Sequence, residues 1–322
     1  AQESRGLGDV YKRQIENHVN FSCEASVGGG IPILMPLHQS LAANQIESIV
    51  GILNGTTNYI LSQMTETGVN YANALADAQK QGFAEADPTN DVCGFDAARK
   101  LAILSSIGFR ANVTFDDVLV EGIEKIDKSD IQYAKDMGYT IKLVTVALRQ
   151  ENGIALNVYP AFLPDNHPLS SVKGAYNAIY VTGNIVDDVM FYGRGAGALP
   201  TASAVMGDVI STAQHILNGS TGTGMIMTDT KRIPFYSSLK LQNSYYFRLD
   251  VDDVTGVLSQ IAAAFAENDI SICEVVQKRK TKGLAELVLI TELASRESIL
   301  QVEKALQVLP CMRKVANVIR VM

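Results

Sequence analysis

Apolar residues recur at the spacing of one helix face between about residues 91 and 107, directly after a loop rich in acidic residues. The apolar positions three, four and seven residues after Lys100 share its side of that helix, so the lysine is predicted to lean toward the core. Asp96 lies one turn earlier on the same stripe, within reach of the ammonium. The pattern therefore predicts a helix that carries a charged pair on its apolar side.

The chain before this helix alternates between strand and helix patterns. One buried strand is followed by a turn built on Asn54 and Gly55, and Thr56 or Thr57 is expected to cap the helix after that turn. Another strand runs into three consecutive glycines, which allow backbone turns closed to other residues, and then into a helix. The predicted strands cover residues 19–25 and 46–53, and a further helix covers 72–81.

Beyond the helix, residues 140–193 are predicted to form several strands of one mixed or antiparallel sheet, with Asn152 and Gly153 as a two-residue hairpin turn. A strand, a glycine-rich turn and a long helix follow. Residues 231–243 show no clear period and are predicted to be a linker. The last part of the chain has a β-α-β-β-α-β order typical of a ferredoxin-like domain, with predicted elements over 245–251, 257–268, 270–277, 285–291, 295–309 and 315–321.

The charged residues around Lys100 allow three interpretations. The aliphatic part of the lysine side chain could pack on the core while its ammonium reaches water beside a salt-bridge partner, which is a purely structural role. The lysine could instead be a half-buried general acid or base, with Glu85, Asp87 and Asp91 holding a cationic group of a substrate. A calcium loop is the third option, but the spacing lacks the alternating acidic pattern of such loops.

Two glycine-rich stretches are candidates for ligand binding. Gly193, Gly195 and Ala198 give the pattern GxGxxA between a strand and a helix, but no acid follows at the distance of a dinucleotide fingerprint and no second βα unit is present. This turn either places backbone amides against a phosphate or is only a tight turn. The triple glycine at 28–30 lacks the ending of a phosphate loop, and with Glu24 it could form a carbonyl-lined pocket for a hard cation.

Composition narrows the class of protein. The 322 residues suffice for two domains, and a net charge of -7 with a pI near 5.2 argues against nucleic-acid binding. No apolar run is long enough to cross a bilayer and no secretory signal opens the chain, which predicts a cytoplasmic protein. Four cysteines and four histidines are scattered without the spacing of a zinc site or a disulfide framework. Residues 1–14 fit no targeting class and are interpreted as a non-family leader, which is a tag, a scar or an artefact of sequence assembly.

Four stretches together resemble the catalytic domain of homoserine dehydrogenases: EASVGGGIP, GILNGTTNYIL, GFAEADPTNDVCGFDAARKLAIL and GRGAGALPTASAV. The resemblance runs from about residue 15 to 230. The stretch LDVDDVTGVLSQIAAAFAENDISI resembles an ACT domain, an amino-acid-sensing module, which would occupy residues 244–322; Thr255 replaces the usual proline before the glycine. The resemblance implies an α/β (α+β) catalytic domain with a mixed sheet, followed by a ferredoxin-like ACT domain.

The family implies an NAD(P)-dependent interconversion of L-homoserine and L-aspartate 4-semialdehyde, on the branch to threonine, methionine and isoleucine. By the same resemblance, Lys100 is the proton donor and acceptor. The substrate contacts would be Glu85, Asp91, Asp96, Gly55 and Thr56. The cofactor contacts would be Gly82, Gly195, Ala196 and Gly197. A sodium ion would be held by Glu24 and by the carbonyls of Val27, Gly29 and Ile31.

Family members begin with a nucleotide-binding Rossmann domain that supplies the main cofactor site and a second lysine, and this sequence lacks it. We therefore expect a truncated chain whose own activity is low, because positioning of the nicotinamide is the protein's chief contribution. An alternative is a non-catalytic fragment that senses threonine or a similar amino acid near Gly256 and Asn268 of the ACT domain. The family also implies a homodimer formed through an exposed sheet, or a higher homo-oligomer.

Overall fold

The computed structural model describes residues 16–220, 233–279 and 283–322, with the side chains of 278 and 279 left aside. The chain divides into two compact units. The first contains the residues up to Glu124 together with Leu143–Tyr159 and Ser171–Tyr236. The second gathers Lys125–Lys142, Pro160–Ser170 and Ser237–Met322. Two segments that come before residue 231 thus belong to the C-terminal unit, and the division at 231–243 as a linker stays a prediction.

The first unit is built on a mixed sheet whose strand order is β6-β5-β1-β3-β4, with β2 beside β4; the start of β3 and the end of β4 are counted with the second unit. Pairing is antiparallel between β1 and β3, β1 and β5, and β5 and β6, and parallel between β2 and β4. The mixed sheet predicted from the sequence is confirmed. The strands are β1 (Ile46–Ile52), β2 (Leu119–Val120), β3 (Tyr139–Gln150), β4 (Gly153–Pro164), β5 (Tyr176–Gly183) and β6 (Asp187–Arg194).

Helices pack on this sheet through runs of apolar residues. Helix α3 carries the predicted apolar stripe: Leu104 and Ile107 are buried and Ile103 is half-buried, which fixes the helix rotation and hence the position of Lys100. A single helical turn, Thr89–Val92, connects the acidic loop to it. The helices are α1 (Gly55–Thr67), α2 (Tyr71–Lys80), α3 (Phe95–Gly108), α4 (Lys128–Asp136, in the second unit) and α5 (Ala198–Leu217).

The C-terminal unit has the predicted ferredoxin-like order. Its four long strands run β11-β7-β9-β8, all antiparallel, with β10 beside β7. One sheet face and two helices enclose a core that includes Phe247, Leu287, Phe265 and Ile299. The elements are β7 (Gln242–Asp252), α6 (Val257–Ala266), β8 (Ile272–Arg279), β9 (Leu284–Thr291), β10 (Ala294–Ser295), α7 (Arg296–Gln307) and β11 (Met312–Val321).

A buried polar network joins α4 to the sheet within this unit. Asp130 is fully buried and accepts hydrogen bonds from Arg248 Nε at 2.7 Å, Asn317 Nδ2 at 2.7 Å and the Tyr246 hydroxyl at 3.1 Å. Arg248 also pairs with Glu286 at 3.4 Å. A buried charge is tolerated when it is paired and fully hydrogen-bonded, and this network meets that condition.

Two local predictions are wrong. Residues 19–25 form no strand, because the Glu24 carboxylate accepts the amides of Ile33, Leu34 and Met35 and Glu24–Ser26 becomes a short 3-10 turn. Helix α1 is capped by Asn54 rather than by either threonine, with the Asn54 side chain accepting from Thr57 N. No helix in the described ranges combines the length and apolarity needed to span a bilayer.

Candidate functional site

A cleft of about 440 Å³ opens in the first unit at the carboxyl end of β1. Five separate elements of structure contribute to its walls: the head of α1, the acidic loop, α3, the start of β5 and the glycine turn after β6. The lining residues are Asn54, Gly55, Thr56, Gly82, Phe83, Asp91, Asp96, Lys100, Ala175, Asn177, Arg194, Gly195, Ala196 and Gly197.

Asn54 holds the two carboxylates of Asp91 and Asp96, which form the acidic wall of this cleft. Its Nδ2 donates to Asp91 Oδ1 at 2.7 Å and to Asp96 Oδ2 at 2.9 Å, while its Oδ1 accepts from Thr57 N at 2.9 Å. One buried amide therefore caps helix α1 and holds two carboxylates that are separated by five positions in the sequence. Hydrogen bonds to ionised acceptors are the stronger class, so this residue fixes the geometry of the acids.

Lys100 is anchored at both sides of its ammonium. Nζ donates to Asp96 Oδ2 at 2.7 Å and to the Leu53 carbonyl at 3.1 Å, which confirms the predicted pair one turn apart on α3. The lysine side chain keeps 20% of its exposure and lines the cleft. Two of the three N–H groups of the ammonium are engaged, and its head is held where the cleft meets α3.

The pKa of the Asp91 carboxyl lies above its ordinary value. Burial is the main cause that raises the pKa of its carboxyl, and the nearby Asp96 charge raises it further, whereas the hydrogen bond from Asn54 lowers it. The net direction is upward. A carboxyl whose pKa is raised in a cleft, beside a specific partner, is a recognised sign of a functional site.

The glycine turn forms the opposite wall. Gly197 is the N-cap of the 20-residue helix α5 and provides no side-chain cap. The first backbone amides of that helix therefore have no side-chain acceptor from the N-cap, and the N-terminus of the helix attracts anions. Arg194 stacks over the Tyr176 ring at 5.0 Å. A Cβ on Gly195 would lie 1.9 Å from Asn177 Nδ2, so only glycine fits there.

Most of the residues proposed from the sequence line this cleft. Asp91, Asp96, Lys100, Gly55, Thr56, Gly82 and the three residues of the glycine turn all do so. Glu85 does not: its side chain is exposed on the acidic loop, and its carbonyl accepts from Gln79 Nε2. Asp87 is exposed too and binds Thr89.

The glycine loop at 28–30 lies beside the cleft. Its Gly29 has φ +57°, and a Cβ there would meet the Gly195 carbonyl at 2.4 Å, so this loop packs against the glycine turn. The Glu24 carboxylate is buried and accepts three amides, which uses three of its four lone-pair positions. Among the described residues, no three histidine, cysteine or acidic side chains gather as metal ligands.

The two residues predicted to bind an effector lie near the ends of α6. Gly256 is its N-cap, with φ +90° and open space where a Cβ would be. Asn268 donates to the Ala264 carbonyl of the same helix at 2.8 Å.

Sequence reasoning missed three polar residues of the cleft: Asn54 as a ligand of acids, Asn177 and Arg194. For Arg194 a signal existed, because it lies inside the glycine pattern already singled out. For the two asparagines only the fold brings them to the cleft.

Comparison with known proteins identifies the family. Residues 32–210 match the homoserine dehydrogenase family, and residues 245–311 match the ACT domain. The homoserine dehydrogenase of Mycobacterium tuberculosis is 42% identical over 97% of this chain, and the chain spans 73% of that relative's length. The chain belongs to the homoserine dehydrogenase family. As a member of the homoserine dehydrogenases, it is an oxidoreductase, and a non-catalytic sensing fragment is not favoured.

Solved structures agree with this assignment. A homoserine dehydrogenase from Thiobacillus denitrificans superposes with a TM-score of 0.92 at 34% identity, over 98% of this chain and 73% of that one. A hyperthermophilic archaeal homoserine dehydrogenase mutant, determined in complex with NADPH, gives a TM-score of 0.55 at 27% identity over 65% of this chain and 61% of its own. The homoserine dehydrogenase and ACT folds inferred from sequence are thus confirmed.

Proposed function

We propose that this cleft is where L-homoserine and L-aspartate 4-semialdehyde are interconverted, with Lys100 as the acid and base. The observation that carries the proposal is the Asp96–Lys100–Leu53 anchor on one wall of a cleft whose other wall is the glycine turn. A fixed ammonium beside a turn suited to a cofactor is the arrangement that carbonyl reduction needs. In the cell this chemistry would serve the branch to threonine, methionine and isoleucine.

The residues act by charge and position. The free N–H of Lys100 would donate a proton to the aldehyde oxygen as it becomes the alcohol, and the neutral amine would take that proton back in the reverse direction. Asp91 and Asp96 would hold the ammonium group of the substrate, while Gly55 and Thr56 shape the floor next to them. Glu85, which is exposed, would join only as the acidic loop closes over the substrate.

The cleft fits a nicotinamide cofactor. The uncapped N-terminus of α5 suits phosphate, and Gly195 and Gly197 keep the wall free of side chains, with Gly82 opposite. When bound, NAD or NADP accepts or supplies a hydride. Ala196 and the two glycines would present backbone amides to it.

Turnover tests the proposal. The assay uses the chain joined to an N-terminal nucleotide-binding domain of a relative, so that the wild type turns over. Lys100→Met keeps the aliphatic stem and removes the proton, so we expect the rate of NADPH oxidation with aspartate semialdehyde, followed at 340 nm, to fall by about 10²- to 10⁴-fold. Lys80→Met, at an exposed lysine on α2, is the matched control and should keep its rate. Equal rates for the wild type and the Lys100→Met variant would refute Lys100 as the acid.

We also propose a sodium ion at the loop that packs on the glycine turn, held by the last lone pair of Glu24 and by the carbonyls of Val27, Gly29 and Ile31. Sodium in place of potassium at constant ionic strength should raise the melting temperature. No difference between the two salts would argue against a sodium site.

The ACT unit is proposed to bind a small amino-acid effector such as threonine at the Gly256 end of α6, where space is open. Calorimetric titration with threonine should release or absorb heat, and a flat titration would count against an effector site.

We further propose a homodimer through β6, an edge strand with exposed Met190 and Tyr192. Sedimentation of a monomer at micromolar concentration would rule the dimer out.

A further inference from the structure

Asn177 is a buried amide whose polar atoms have no use within the described part of the chain. It lies on β5 opposite Gly193 of β6, its exposure is 1%, and neither Nδ2 nor Oδ1 has a hydrogen-bond partner there. Yet it belongs to the lining of the cleft. Nearly all buried polar groups in native proteins are paired, so an orphaned pair of atoms in a cleft requires an explanation.

Both ends of this amide lie against the glycine turn, and its oxygen also lies near the turn at Gly55: a Cβ on Gly195 would be 2.8 Å from Oδ1. A Cβ on Gly195, in the turn proposed to contact the cofactor, would lie 1.9 Å from Nδ2. A Cβ on Gly55, in the turn proposed to contact the substrate, would lie 3.6 Å from Oδ1. Asn177 thus lies directly against the glycine turn, and the absence of a side chain at Gly195 is what makes room for its amide.

The chemistry of the missing partner follows from the unpaired groups. The N–H₂ needs an acceptor and the C=O needs a donor. A carboxylate offers only acceptors and an ammonium only donors. A hydroxyl offers both from a single oxygen, whereas a primary carboxamide offers them from two atoms in one plane and can pair with both ends of another amide at once, through two hydrogen bonds. The terminal torsion of asparagine is soft, so the amide can turn toward such a group at little cost.

We propose that Asn177 binds the carboxamide of the nicotinamide ring and so fixes which face of the ring meets the substrate. This inference rests on the proposed function, since it takes the cofactor from there. The donor end of Asn177 lies beside the glycine turn rather than beside the acids, which favours the cofactor over the substrate as its partner.

The test replaces the carboxamide rather than the protein. An NADPH analogue with an acetyl group in place of the carboxamide keeps the acceptor and loses the donor. Calorimetric titration of the wild type should show about three- to tenfold weaker binding of the analogue, the effect of one lost hydrogen bond. Asn177→Leu should bind both cofactors equally, whereas the control Asn152→Ala, at an exposed hairpin turn, should keep the wild-type ratio.

The outcomes separate cleanly. A wild type that binds both cofactors equally overturns the inference without needing any variant to fold. Asn177→Leu with an unchanged cofactor ratio but weaker homoserine binding also overturns it, because the amide would then serve the substrate. If Lys100→Met loses turnover but the wild type binds NADPH and the acetyl analogue equally, the proposed function stands. Only the role of Asn177 is then removed.

Discussion

Asn54 offers the sharpest perturbation of the site, because one amide performs two separable tasks. Asn54→Ala removes the cap of α1 and both hydrogen bonds to carboxylates. Asn54→Ser keeps a capping oxygen but cannot reach both acids. A lost cap costs about 1 kcal/mol. A hydrogen bond to a charged group is worth about 1.5–3 kcal/mol when buried, and Asp96 is partly exposed, so water recovers part of that loss.

We therefore expect the free energy of unfolding to fall by about 1–3 kcal/mol for the serine variant, and by about 1 kcal/mol more for the alanine variant. Urea denaturation followed by circular dichroism measures both. Asn70→Ala is the matched control: Asn70 caps α2 by the same bond to an amide, 2.9 Å to Asn73 N, but is exposed and contacts no carboxylate in the described structure. It should cost only the cap.

The same variants should shift the pH dependence of the reaction. The amide of Asn54 lowers the pKa of Asp91 against burial, so its removal raises that pKa further. The acidic limb of the rate profile should move to higher pH in Asn54→Ser and stay in place in Asn70→Ala. If Asn54→Ser lost stability no more than Asn70→Ala and kept the wild-type profile, our account of the acidic wall would be wrong.

Two further predictions concern charge. Arg248→Met leaves the fully buried Asp130 carboxylate without its cation and should lower the free energy of unfolding by about 3–5 kcal/mol. Arg313→Met breaks an exposed pair that water screens, so it should cost much less; thermal denaturation tests both. Equal losses would contradict the burial argument. Folding raises the pKa of Asp91 and lowers that of Asp87, so as pH rises from the acid range the wild type should lose stability relative to Asp91→Asn but gain it relative to Asp87→Asn. Parallel pH trends for the two variants would contradict these shifts.

Local patterns predicted what depends on neighbours in the chain. The Asp96–Lys100 pair needs only helical spacing, and the order of the ferredoxin-like unit needs only element type and sequence. The strand predicted at residues 19–25 failed because the Glu24 carboxylate, nine to eleven residues before its amide partners, organises that backbone instead. A pattern of alternating apolar residues gives no information about such hydrogen bonds between a side chain and distant backbone amides.

Long-range partners were out of reach for the same reason. Asn54 binds acids 37 and 42 positions later, and α4 meets the C-terminal sheet through Asp130 and Arg248, 118 positions apart. Nothing in the local sequence around Asn54 tells an asparagine that only caps a helix from one that also binds distant carboxylates, since both follow a strand and precede a helix. Only the fold shows that the cap also faces the acids.

The charge balance of the cleft explains why a neutral amide stands at its centre. Asp91 and Asp96 bring two negative charges, and Lys100 and Arg194 bring two positive ones. A cation in place of Asn54 would neutralise the acids and leave nothing to receive an ammonium group, whereas an apolar residue would leave two close carboxylates without a shared donor. An amide holds both acids and keeps their charge available. A cleft of this composition suits a substrate that carries both signs of charge, as an amino acid does.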